Sequence, residues 1–143
     1  MGDKCLLKSD LIVLTETWLE QGENVNNDYD LTNYEANFNN VGRGRGIASY
    51  FNNKFKHTQN VNFGGFSISK VESDKLDIIG IYRSQEGNVQ HLIEQLEALI
   101  KETKTTVIGG DINICALSHP QNYVTESLKA MGFKQIVTRS THI

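Results

Sequence analysis

The chain has 143 residues, 38% of them hydrophobic and 22% charged, the size and composition of one domain with a real core rather than a disordered tail. Its formal net charge of -3 argues against a module that coats nucleic-acid phosphates with basic side chains. It leaves room for an enzyme in which a carboxylate-held cation supplies positive charge locally.

No run approaches the roughly 18 apolar residues of a membrane span, so no membrane partner is expected. The opening MGDKCLLKSD lacks a secretory apolar stretch, and Leu6 stands where a myristoylation signal needs Ser or Thr. Cys5 and Cys115 form no CxxC pair, which fits a reducing, intracellular setting, nuclear or cytoplasmic alike.

In chain order, the first element is the apolar run LIVL at 11–14, which reads as a strand covered on both faces and delivers Glu16 at its end. The Asn-, Asp- and Gly-rich stretch 22–30 is a loop. GRGRG at 42–46 lacks the Lys-Ser/Thr of a P-loop and reads as a glycine turn, with Arg43 and Arg45 near phosphates if nucleic acid binds. Strand signals follow at 46–52 and 66–71, with His57 in a loop between them. IIGI at 78–81 is a second buried run and ends in Tyr82-Arg83; VIGG at 107–110 is a third and ends in Asp111. From Asn88 a helix is predicted, with Val89, Leu92, Ile93, Leu96, Leu99 and Ile100 on one stripe, His91 off it, and Lys101 and Lys104 at its negative end. A shorter helix spans about 121–131 with Gly132 as its cap, after a turn at His119-Pro120, and a last strand is expected at 134–138. No repeat or linker divides the chain, so 1–143 is a single domain.

Polar groups arriving at the ends of several buried strands converge on one sheet edge, where sites of α/β proteins form. Asp111 and Asn113 sit two residues apart and project together on an extended chain, which suits orienting a water and donating to a charged oxygen; the same pair also suits a turn after a strand. Glu16 is a hard oxygen ligand for Mg²⁺ or a solvated strand end. Tyr82 can donate to a phosphoryl oxygen or simply pack its ring, and Arg83 can contact phosphate or lie exposed. Trp18 can stack on a base, although a lone Trp beside a strand end is more often core, and Cys115 suits a small buried position.

The ordered set SDLIVLTETWL (9–19), GRGRGIASYFN (42–52), IIGIYRSQ (78–85), VIGGDINI (107–114) and GFKQIVTRSTHI (132–143) resembles the endonuclease/exonuclease/phosphatase superfamily. The likeness is to its retrotransposon and mobile-element branch of apurinic-type endonucleases rather than to the sphingomyelinase or inositol-phosphatase branches. The resemblance implies an incomplete four-layer α/β/β/α sandwich with two mixed sheets. It implies a Mg²⁺-dependent phosphodiesterase, with Mn²⁺ as a substitute, that hydrolyses DNA by in-line attack of water. Glu16 matches the metal-binding glutamate, Asp111 the aspartate that orients or deprotonates the water, Asn113 the asparagine on the phosphate, and Tyr82 the tyrosine that assists it; Arg83 and Arg139 fall on the substrate side.

Ser84 stands where the family often has Pro. The family's first strand with its metal-side Asn, and the Asp-His segments after the Thr-Arg stretch, have no counterpart here. The four histidines, His57, His91, His119 and His142, do not occupy the family's positions. The reading from sequence is therefore a domain truncated at both ends, with the missing family segments or a larger mobile-element polyprotein as its candidate partner, an unpaired sheet edge, and weak activity or none. The alternative is a catalytically inactive remnant that acts at most as a binding module, and a third reading is a phosphomonoesterase or lipid phosphodiesterase of the same superfamily.

Overall fold

A computed structural model describes residues 8–20, 29–42, 44–115 and 117–139. Cys5, Leu6, most of the 22–30 loop, Arg43 and His142 lie outside the described residues. Seven strands and two helices follow in the order β1 (Leu11–Thr15), β2 (Glu35–Asn39), β3 (Ile47–Phe51), β4 (Lys56–Phe63), β5 (Phe66–Glu72), β6 (Leu76–Arg83), α1 (Val89–Leu99), β7 (Thr105–Asp111) and α2 (Tyr123–Ala130). They form two sheets, ordered β1-β3-β2 and β4-β5-β6-β7. The fold is thus the expected α/β arrangement of stacked sheets. The three-stranded sheet is antiparallel throughout, whereas the four-stranded one is mixed, with β6 and β7 parallel.

Period-two alternation splits the core into layers. On one face of the larger sheet, Phe66, Ile68, Ile79 and Ile81 pack against Leu92, Ile93, Leu96 and Leu99 of α1 and Val124 of α2. Each such buried aliphatic contributes about 1.5–3 kcal/mol. Val13 and Ile47 of the smaller sheet approach the other face over Gly80, where a β-carbon would sit 2.7 Å from Val13 Cγ1. This inter-sheet layer is small and polar: Ser49 Oγ lies 3.3 Å from Ser69 Oγ, and Asn39 Nδ2 donates to Ile68 O at 3.1 Å. The outer face of the smaller sheet gathers Ile12, Ala48 and Tyr50 under Leu31, Tyr34 and Phe38.

The helix expectations hold. Asn88 caps α1 by accepting from the His91 N–H, and Asn122 caps α2 by accepting from the Thr125 N–H. Gly132 ends the second helix at φ 90°, and the Phe133 N–H returns to Leu128 O. Four sequence expectations change. The polar strands β2 and β4 were not foreseen, and His57 lies within β4 rather than in a loop. Of the three apolar runs expected to be covered on both faces, only β6 is buried along nearly its whole length; β1 and β7, at the sheet edges, are partly exposed. The expected strand at 134–138 is irregular and unpaired, with Ile136 77% exposed, because β propensity makes a strand only where a ladder partner is reached. Lys101 and Lys104 serve the sheet's acidic side chains rather than the helix end, pairing with Glu72 and Asp77.

Candidate active site

The edges β1 and β7 lie over one another, so the chain leaving β1, the end of β6 and the end of β7 meet at one end of the sandwich. Parallel pairing sets Tyr82 opposite Asp111, and alternation turns both toward the smaller sheet. Tyr82 is only 5% exposed. Its phenol is pushed above its ordinary value first by burial, then by the charge and hydrogen bonding of the Glu16 carboxylate and by Asp111, against the partial relief of Arg45. Glu16, Tyr82, Asp111 and Arg45 therefore share one neighbourhood, although they come from three strand ends and the glycine turn.

The backbone there is unusual. Glu16, Trp18 and Asn113 take positive φ values of 55°, 57° and 52° without being glycine. Such conformations cost about 1–3 kcal/mol each and gather at functional sites. The turn carrying Glu16 and Trp18 rests on the glycine hairpin: a β-carbon on Gly46 would lie 3.0 Å from Thr17 Oγ1 and 2.9 Å from Asn39 O. Gly46 against Thr17 and Gly44 against the Trp18 indole are thus the seats of the neighbouring turn.

Asn113 closes the turn after β7. Its N–H donates to Asp111 Oδ1 at 2.8 Å, and its Nδ2 donates to Arg83 O at 2.5 Å. Arg83, 8% exposed, spends its guanidinium on main-chain carbonyls: Nε on Gly87 O at 2.8 Å, Nη1 on Ile112 O at 2.7 Å and Nη2 on Gln85 O at 3.2 Å. It ties the loop after β6 to the loop after β7. Arg139 lies exposed in the irregular segment after α2.

Trp18, more often expected in a core, is 64% exposed, and Cys115 is exposed rather than buried. The Cys115 thiol is pulled below its ordinary value by hydrogen bonds from Ser118 and Leu117. His91 is exposed as expected and meets the Phe63 ring edge-on at 5.0 Å. Sequence reasoning missed Arg45 as a neighbour of Tyr82; only the glycine spacing of GRGRG hinted that its turn lies close to another segment.

The fold and the geometry of its strand ends define a two-sheet α/β sandwich with a polar cluster at one end. No protein-family model matches the chain, and no curated protein sequence matches it. Among solved structures, the chain is similar to the crystal structure of humanized D. rerio TDP2 carrying 14 mutations, at 15% identity and a TM-score of 0.52. The match covers 81% of this chain and 54% of that one, so the chain spans about half the length of the structure it resembles. At this identity the likeness concerns the fold. Among the described residues, no helix is long and apolar enough to cross a membrane.

Proposed function

We propose that the chain carries a phosphodiesterase site of the endonuclease/exonuclease/phosphatase kind, acting on DNA with Mg²⁺. The observation that carries this reading is the meeting of Glu16, Tyr82 and Asp111 at one end of the sandwich. The likeness of fold to TDP2 is consistent with it.

The donor set suits the ion. Glu16 and Asp111 offer hard carboxylate oxygens around one phenol, and Mg²⁺ is commonly held by one or two carboxylates with water and phosphate completing its shell. Glu16 is the residue proposed to hold it, with Mn²⁺ as a substitute. Bound there, the metal would offset negative charge developing on the phosphoryl oxygens. Asp111 is the residue proposed to orient a water and accept its proton. Tyr82 stays protonated well beyond neutral pH and so keeps a hydrogen to donate to a phosphoryl oxygen. Asn113 and Arg83 fix the turn that aims Asp111, and Arg139 is available to a longer substrate. The finer assignment, to the mobile-element branch, rests on the motifs TETWL, GRGRGIA and IYRSQ.

A second reading, binding without turnover, is favoured by Asn113, whose side-chain amide is held on Arg83 O by one of its two hydrogens. Nicking of supercoiled plasmid with Mg²⁺ separates the two. The enzyme reading expects nicking that falls at least about a hundredfold in Glu16→Gln and Asp111→Asn, as for groups that act as a unit. Absence of nicking, with a melting temperature indifferent to Mg²⁺, would remove it for this chain.

A further inference from the structure

Trp18 is the chain's single tryptophan, and the proposed chemistry does not use it. An indole normally contributes to folding by burial, yet this one is 64% exposed. Its backbone is also left-handed, at φ 57°. It is nevertheless held in place. Leu19 beside it is buried, and the six-membered ring of the indole lies along Gly44, where a β-carbon would stand 3.7 Å from Cζ2 and 3.8 Å from Cη2. Gly44 itself takes φ 68°, a conformation that disfavours any side chain between the hairpin and the indole. One side of the ring is therefore seated on backbone while much of its surface faces water.

Its surroundings indicate what that surface meets. Among the described residues, it adjoins Glu16 and Thr17 in the chain and Gly44 in space, with the exposed Arg45 next to Gly44. A tryptophan that anchors a protein partner usually sits in a ring of contacts that exclude water. A tryptophan that stacks on a base instead needs only a free flat face beside groups that handle phosphate. Glu16, two residues away, belongs to the cluster already described, and Arg45 brings a cation to the same end of the sandwich.

Building on the phosphodiesterase reading, we propose that Trp18 is a stacking platform for an unpaired nucleobase of the DNA substrate, with Arg45 meeting the adjoining backbone phosphate. Trp18 is a positioning residue in this scheme: it holds the nucleotide next to the scissile phosphate.

Because the chain has one tryptophan, its emission reports this position alone. The full chain is titrated in EDTA with a short single-stranded DNA oligomer and with an abasic sugar-phosphate oligomer of the same length. Quenching is expected with the first and little with the second. In parallel, binding of the fluorescein-labelled oligomer is followed by anisotropy. Trp18→Ala is expected to weaken it about ten- to a hundredfold, and Trp18→Phe to retain most of it. Circular dichroism of both variants guards against misfolding, and Trp18→Phe keeps the result interpretable if the alanine variant unfolds. Equal quenching by the two oligomers, or unchanged affinity in Trp18→Ala, overturns the platform. If plasmid nicking persists under that outcome, the phosphodiesterase reading survives without it. If no DNA binds and none is nicked, both fall together.

Discussion

A β-carbon on Gly110 would stand 1.9 Å from the Ile81 carbonyl oxygen, and the residue already holds φ 140°. At Gly109, one position earlier, a β-carbon would meet nothing within 4 Å. The two glycines before Asp111 therefore do different jobs. Gly110 permits the close approach that sets Asp111 beside Tyr82, whereas Gly109 has open space where a side chain would stand. Urea unfolding should separate them: Gly110→Ala is expected to lose about 3 kcal/mol or more, as backbone incompatibility does. Gly109→Ala should stay within about 1 kcal/mol of the parent. Comparable losses at both positions would mean that the close contact at Gly110 is not what the pair is for. Tyr82 gives a second residue-scale expectation. Tyr82→Phe keeps the buried ring and removes a phenol hydrogen that faces two carboxylates, so folding should be little affected. Nicking should drop by about a hundredfold, the scale of losing one transition-state donor. Unchanged nicking would leave the hydroxyl with no part in the chemistry.

At the scale of elements, Arg83 joins the loop after β6 to the loop after β7 through three carbonyls. Lysine cannot reproduce that planar fork. Arg83→Lys should therefore destabilise the chain by about 1.5–3 kcal/mol, the range for charged hydrogen bonds. It should also lower kcat with KM nearly unchanged, because it loosens the turn that aims Asp111. A raised KM at constant kcat would instead mean that the guanidinium meets substrate. This role was invisible in the sequence, where an arginine ending a strand looks the same whether its partners are phosphates or carbonyls. The helices and the strands β3, β5 and β6 were legible because each shows its own period or an apolar run. The strands β2 and β4 were not. EANFN alternates over only two apolar residues, Ala36 and Phe38, and KHTQNVNF only at Val61 and Phe63, too short a signal to stand out, and they pair because β3 and β5 offer them open edges. The glycine hairpin was legible as a turn, but not as the seat of Thr17 and Trp18, since that contact joins segments far apart in the chain.

On the whole-molecule scale, charge is sorted to the two ends of the larger sheet. Asp77 opens β6 and Tyr82 nearly closes it, five residues or about 16 Å further on. At the Asp77 end, the carboxylate is fully buried and faces Lys70 Nζ at 2.8 Å and Lys104 Nζ at 3.3 Å. The Lys70 contact is a buried ion pair to Oδ2, and Lys70 also donates to Leu99 O at 2.8 Å, which anchors the end of α1. Burial alone would raise the Asp77 pKa, but hydrogen bonding and charge from Lys70 and Lys104 outweigh it and hold the group below its ordinary value. A carboxyl whose folded pKa is depressed adds stability that is complete above its unfolded value. That stability is lost as pH falls through the lower folded value. Stability should therefore be flat with respect to Asp77 from pH 7 down to about 4, then fall in more acid solution. Asp77→Asn leaves Lys70 buried without its counter-charge, so it should cost about 3–5 kcal/mol at pH 7. The variant should also lack that part of the acid loss, so the two stability curves converge below about pH 4. Glu72 is held low in the same direction, chiefly by its hydrogen bond from Lys101, which is half exposed at 52%. Glu72→Gln should accordingly cost no more than about 1 kcal/mol. Urea midpoints measured from pH 7 to pH 3 on the parent and both variants test this. Parallel curves for the parent and Asp77→Asn across that range would show that the buried pair does not govern the acid limit.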